Sequence, residues 1–153
     1  MPDLQRAFEH AGFSEVRTLL TSGNVLFTAR STAVPTLERK AEAAMQKVLG
    51  RTFLTIIRPV EYLRAILDED PFRQYRLGPE AKRVVTFLRT PSTARLEFPV
   101  EMGGARILMT RKTEVYTTYQ RGSATPDFMT LIERSFGKEV TTRTWETVTK
   151  AAR

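Results

Sequence analysis

Cysteine is absent from this 153-residue chain, and histidine occurs once, at His10. Without cysteine there is no disulfide, no thiolate metal site and no cysteine nucleophile. A single histidine cannot furnish a three-histidine zinc centre or a two-histidine metal triad, so no metal is expected. A Ser-His-Asp triad would have to use His10. That residue stands in Glu9-His10-Ala11-Gly12, near a helix end, where a histidine complements the helix dipole. No apolar run approaches the roughly 20 residues that span a bilayer, so no membrane partner is expected. The opening MPDLQRAFEH lacks the apolar core of a secretory signal. With no disulfides, this composition suits a cytoplasmic protein. No G-x-x-x-x-G-K-[ST] and no G-x-G-x-x-G pattern occurs, which leaves out the standard nucleotide loops and implies no cofactor.

What is present is a globular composition, 41% hydrophobic and 27% charged, with a formal net charge of +7. Much of the excess lies between Lys82 and Lys112, where Lys82, Arg83, Arg89, Arg95, Arg106, Arg111 and Lys112 face only Glu97 and Glu101. A basic surface favours anionic partners, nucleic acid or phosphorylated small molecules among them. Against that, no block of about five or six consecutive basic residues occurs, and arginine outnumbers lysine, an excess that a GC-rich genome produces by itself.

The periodicity predicts a first helix over about 2–11, with Leu4, Ala7, Phe8 and Ala11 on one face and Gly12 as its cap. Strands at 14–20 and 24–28 read as a hairpin across Thr21-Ser22-Gly23-Asn24. A second helix over 35–49 carries a stripe of Leu37, Ala41, Ala44, Met45 and Val48, closed by Gly50. Residues 53–58 form a β-branched run and are predicted as a strand, and 60–68 as a short helix ended by Asp70-Pro71. The second half reads as a strand at 83–89, an ambiguous stretch at 91–100 and strands at 106–110 and 114–120. A helix from Thr125 to about Phe136, a short strand at 139–142 and a last helix capped by Thr144 follow. The expected fold class is α+β: two ferredoxin-like (βαββαβ) halves packed together, residues 1–75 and 80–153, the first lacking its opening strand.

Several segments carry a family resemblance. They are Gly12-Phe13-Ser14-Glu15-Val16-Arg17-Thr18 leading into Ser22-Gly23-Asn24-Val25, the Asp70-Pro71-Phe72 turn, Arg121-Gly122-Ser123 before a helix, and Thr141-Thr142-Arg143-Thr144-Trp145-Glu146-Thr147-Val148. In order and spacing the chain resembles the bacterial domain-of-unknown-function family 1697. The resemblance implies a cytoplasmic α+β protein with ferredoxin-like halves and carries no activity, substrate or cofactor with it. It also implies an opening apolar strand and glycine-rich turn ahead of the first helix, whereas Met1 already stands at the start of that helix. On this reading the strands near 24–28 and 53–58 either pair directly or leave an edge for another chain, so a homodimer through the incomplete sheet is an expected partner.

Candidate binding residues are few. Ser22, Gly23 and Asn24 can present backbone N–H groups to an anion, or form an ordinary hairpin turn. Arg143 can grip a phosphate and Trp145 stack a base, or Trp145 can anchor the last helix in the core. Arg121 adds charge. Tyr116 and Tyr119 alternate onto opposite sheet faces, which argues against two stacking rings on one RNA-binding sheet. Asp68-Glu69-Asp70 reads as a solvated helix end rather than as acid–base machinery, and Asp127 and Glu133 as surface charges of a helix. The expected function is non-catalytic binding of an anionic ligand, nucleic acid or nucleotide. The alternatives are a small enzyme acting on a phosphorylated or nucleotide substrate, and a structural dimerisation module.

Overall fold

The computed structural model describes residues 2–19, 23–92, 100–102, 104–120 and 125–153. They form an α+β protein that divides into two compact units, Met1–Arg58 and Pro59–Arg153.

Unit 1 opens with α1 (Pro2–His10) and a hairpin of β1 (Ser14–Leu19) and β2 (Asn24–Thr28), followed by α2 (Val34–Leu49). Leu4, Ala7 and Phe8 are buried, the i, i+3, i+4 stripe that drives an amphipathic helix onto a core. They meet Phe13, Val16, Ala41 and Met45, with Val25, Phe27 and Leu37 packed around them. Three rings hold the centre. Phe13 stacks on Phe27 at 4.4 Å between centroids, and Phe8 tilts against both at 5.8 and 5.4 Å. Gly50 ends α2 at φ +78, donating its N–H to the Gln46 carbonyl, a left-handed cap that glycine takes without a Cβ clash.

The predicted strand at 53–58 is not one. Among the described residues β2 pairs with β1 alone, and residues 53–58 join no sheet. Alternate N–H groups of the segment go to side chains of α2 instead: Thr55 N–H donates to Glu42 Oε2 and Ile57 N–H to Glu38 Oε2, each at 2.9 Å. The β-branched composition specifies an extended chain, but a ladder needs a neighbouring strand, and here two carboxylates take its place. The direct pairing expected between 24–28 and 53–58 is therefore absent.

Unit 2 begins with α3 (Val60–Glu69) and a 3-10 turn at Pro71–Gln74, then builds a five-stranded antiparallel sheet. Its strands are β3 (Ala81–Leu88), β4 (Val100–Met102), β5 (Ala105–Thr110), β6 (Glu114–Gln120) and β7 (Val140–Thr144), in the order β4-β5-β6-β3-β7. Helix α4 (Thr125–Phe136) precedes β7, and α5 (Trp145–Ala151) follows it. β4 is an edge strand unforeseen in the sequence, at the end of the ambiguous stretch; residues 93–99 of that stretch lie outside the described residues. Alternation sorts the sheet into two faces. Val84, Leu88, Ala105, Ile107 and Val115 pack with Leu131 and Ile132 of α4. The opposite face carries Tyr116, whose ring meets Phe72 at 5.6 Å and Trp145 at 6.4 Å, while Phe72 and Trp145 meet edge-on at 5.1 Å. Thr144 caps α5 by accepting from the Thr147 N–H at 3.2 Å, as its position predicts.

Candidate functional site

A concavity lies in unit 1, where the chain leaves α1 and where it enters α2. At the first point the helix ends in a tight turn. Ala11 and Gly12 donate back to the Ala7 and Glu9 carbonyls, and Gly12 sits at φ +93, a conformation open to glycine and strained for other residues. The turn returns Phe13 to the aromatic cluster. At the second point β2 gives way to Ala29 and Arg30, and Thr32 precedes α2. Between them is a cleft of about 330 Å³, lined by Ala11, Gly12, Phe13, Ala29, Arg30, Thr32, Leu37 and Lys40. Nothing lies within 4 Å of where a Gly12 Cβ would stand, so the cleft is open on that side.

Its chemistry is one-sided. Ala11, Phe13, Ala29 and Leu37 make an apolar lining, and the charged groups on it are two cations, Arg30 and Lys40, with the Thr32 hydroxyl between them in sequence. Both cations are exposed, and among the described residues neither makes an ion pair or hydrogen bond. No carboxylate lines the cleft. The first turn of α2 has no acidic residue, and its N-cap, Ala33, supplies no side-chain acceptor, so the positive end of that helix dipole is left without a counter-charge of its own. The arrangement can hold an anion with an apolar body. It offers no acid–base pair and no nucleophile beyond a threonine hydroxyl.

Unit 2 holds a second polar cluster, of another kind. Glu114 is fully buried and accepts hydrogen bonds from the Tyr62 hydroxyl and from Thr113 Oγ1, so α3 is tied to β6 through a carboxylate. Glu69 of the same helix pairs with Arg111 at 2.8 Å. Tyr116 stands beside Glu114, fully buried, and its hydroxyl has no hydrogen-bond partner among the described residues. Burial, and next the Glu114 charge, push its ionisation well above the usual tyrosine range. A phenol so held stays protonated and does not act as a base at neutral pH. Among the described residues no group of three or more His, Cys, Asp or Glu is arranged to hold a metal, and no helix is long and apolar enough to cross a membrane.

The family model for proteins of unknown function (DUF1697) matches residues 1–116. The chain belongs to the DUF1697 family. The match takes in the whole of unit 1, cleft included, and runs into β6; Arg143 and Trp145 fall beyond it. No curated protein and no solved structure matches the chain.

The residues singled out in the sequence of this DUF1697 protein do not converge. Ser22 and Arg121 lie outside the described residues. Gly23, at φ +74, and Asn24 stand at the turn end of the hairpin, with Asn24 Nδ2 donating to the Leu19 carbonyl, while the cleft is at the hairpin's open end. Arg143 shares a cross-strand row with Val85 and Tyr116. It donates to Thr141 Oγ1 and the Thr142 carbonyl, and burial lowers its pKa. Trp145 presents its edge to Phe72 and Tyr116 and is half-buried. The basic stretch is dispersed. Arg106 pairs with Glu101 at 3.1 Å and Arg111 with Glu69, while Lys82 and Arg83 alternate onto opposite faces. His10 is exposed on the last turn of α1. The cleft residues Arg30, Thr32 and Lys40 were missed. The available signal was an absence, since residues 29–37 hold an arginine and no acidic residue.

Proposed function

We propose that this DUF1697 protein binds a small phosphate-bearing ligand of nucleotide size in the unit 1 cleft, without catalysing its conversion. The observation that carries the reading is the pair of cations, Arg30 and Lys40, without an ion pair among the described residues, on a cleft of about 330 Å³ whose lining is about half apolar. That volume is at the lower end for small-molecule sites, room for one ligand and not for a polymer track. The phosphate would meet Arg30, Lys40 and the Thr32 hydroxyl, and the apolar part of the ligand would lie on Phe13 and Leu37. A nucleic-acid reading has less support, because the arginines of unit 2 are divided between two sheet faces and two ion pairs.

The test is titration of a nucleoside monophosphate, inorganic phosphate and a single-stranded oligonucleotide at low and moderate salt, followed by backbone amide NMR. The mononucleotide is expected to shift the Gly12, Ala29 and Thr32 amides. Arg30→Ala and Lys40→Ala each weaken it about tenfold, near 1.4 kcal/mol. Binding unchanged in the double variant, or shifts confined to unit 2, overturns the reading. Tight oligonucleotide binding that weakens steeply with salt would move the assignment to nucleic acid. Product formed during the titration would move it to an enzyme.

For the fold we infer that residues 81–144 are a ferredoxin-like unit. Along the sheet β5, β6, β3 and β7 stand as second, third, first and fourth strands, the order of a βαββαβ motif, with β4 added at the edge.

A further inference from the structure

We propose that the cross-strand row Arg83, Thr118 and Arg106, on the sheet of unit 2, binds the carboxylate of a small organic acid. The strand register sets Thr118 of β6 directly between Arg83 of β3 and Arg106 of β5, and sets Glu101 of β4 beyond Arg106. Directly opposed residues share a sheet face with their Cβ atoms about 5 Å apart, so two guanidinium side chains flank one hydroxyl. The face is that of Tyr116, two residues before Thr118 along β6.

What the row lacks is acceptors. Thr118 is 3% exposed, and its hydroxyl has no hydrogen-bond partner among the described residues. Among the same residues Arg83 makes no ion pair or hydrogen bond. Arg106 Nε is buried and stands 3.1 Å from Glu101 Oε1, near enough for an ion pair but without the alignment of a hydrogen bond. An arginine only donates, and the hydroxyl has a proton to give, so three donors stand side by side with no oxygen to receive them. A buried donor left unmet is costly, and an acceptor from outside the chain relieves it. The charge selects that acceptor. Glu101 offsets one arginine, so the row carries a single net positive charge, which one carboxylate cancels and a phosphate dianion exceeds. The two oxygens of a carboxylate also match the fork of a guanidinium. Thr118 Oγ1 is closed to water, while the Arg106 side chain is 40% exposed and Arg83 is half-buried. The acid therefore enters from the arginine ends and reaches the hydroxyl as Arg83 turns aside.

The experiment titrates the full chain with acetate, with inorganic phosphate, and with a blocked dipeptide ending in a free acid or in an amide, each against chloride at the same ionic strength. The readout is NMR of the Arg83 and Arg106 Nε–H groups and of the Thr118 amide. Acetate and the acid dipeptide are expected to shift all three signals, and the amide dipeptide none. Arg83→Ala is expected to weaken acetate about tenfold. Lys82→Ala, next in sequence but on the other face of β3, is expected to leave it unchanged. Thr118→Val keeps the side chain's shape and removes the unmet hydroxyl, so it should lose affinity several-fold while raising the unfolding midpoint. Glu101→Gln frees Arg106 and should tighten acetate a few-fold. Equal losses in Lys82→Ala and Arg83→Ala reduce the binding to general surface charge and overturn the site, as does unchanged affinity in Thr118→Val. Phosphate bound more tightly than acetate overturns the choice of a carboxylate. Binding of the acid dipeptide without acetate overturns the small acid in favour of a peptide chain end.

Discussion

Glu38 in unit 1 and Glu114 in unit 2 are both buried carboxylates, and they do different work. Glu38, 3% exposed on α2, accepts a backbone N–H from an extended segment that has no sheet partner. Glu114, fully buried on β6, accepts two side-chain hydroxyls and ties a helix to a sheet whose own ladder is already complete. In unit 1 the carboxylate substitutes for secondary structure; in unit 2 it joins elements that exist without it. The two units differ in how their extended segments are paired. Among the described residues the segment at 53–58 joins neither strand of the hairpin, whereas in the five-stranded sheet three strands have two neighbours each.

If unit 2 rests on its sheet and the rings packed on it, the sharpest blow is to remove the ring at the centre. Phe72, 2% exposed, touches both Tyr116 and Trp145. Phe72→Ala is expected to cost about 3–5 kcal/mol in denaturant unfolding. Trp145, the chain's only tryptophan, sits in that cluster, so its fluorescence reports the loss directly. A cost below about 1 kcal/mol would mean that the rings do not hold the unit.

Unit 1 should break at the carboxylate. Glu38→Ala leaves the Ile57 N–H without its acceptor, at about 2–3 kcal/mol for a lost hydrogen bond to a charged group. Glu38→Gln keeps an acceptor and is expected to recover roughly half. The local readout is hydrogen exchange at Ile57, fast in the alanine variant and slow in the glutamine one, with Thr55, bonded to Glu42, as the internal control. If Ile57 stays protected in Glu38→Ala, its N–H is held by something other than that carboxylate.

How much of this was legible in the sequence follows the same division. The helices were readable because each places a full apolar stripe on one face, as Leu4, Ala7 and Phe8 do, or as Ala41, Ala44 and Met45 do on α2. β5 and β6 were readable by alternation, which also put Tyr116 and Tyr119 on separate faces. The strand at 53–58 was misread because composition reports extension and not partnership, and its partners, Glu38 and Glu42, look like ordinary polar positions of a surface helix. The cleft was missed for a related reason. Arg30 and Lys40 are ten residues apart, and only the fold of α2 against the turn after α1 brings them to one opening. Trp145 was legible as either a core or a stacking residue, and its edge contacts with Phe72 and Tyr116 favour packing.

The Tyr116 hydroxyl allows a test of opposite sign. It is buried without a partner among the described residues, so Tyr116→Phe removes an unsatisfied polar atom and is expected to stabilise unit 2 by about 1 kcal/mol or more. The pH dependence separates this from a general packing effect. The folded state raises the phenol's pKa, so above the ordinary value near 10 the unfolded chain loses a proton that the folded chain retains. The wild type therefore loses stability as pH rises past about 10, at up to about 1.4 kcal/mol per unit of pH from this group. Below pH 10 the group contributes no slope. Tyr116→Phe should flatten the alkaline fall, measured as denaturant midpoint between pH 8 and 11. An identical fall in both proteins would show that the phenol is reached by water.

The smallest effects come from the helix ends, where the two units again differ. Helix α5 has a working cap in Thr144, while α2 starts at Ala33 with none. Thr144→Ala removes an acceptor from the Thr147 N–H and should cost about 1 kcal/mol. Ala33→Ser supplies the acceptor that α2 lacks and should gain up to about 1 kcal/mol, since Ala33 already holds the extended φ of −59 and ψ of 138 that a capping residue adopts. The gain in unit 1 has a second consequence. A serine hydroxyl at position 33 shares the Thr36 N–H with the carbonyl of the same position and stands beside Thr32, so the same variant is expected to weaken mononucleotide binding in the cleft by a few-fold while raising thermal stability. Stability and affinity rising together would show that the helix end takes no part in holding the phosphate, leaving Arg30 and Lys40 to hold it.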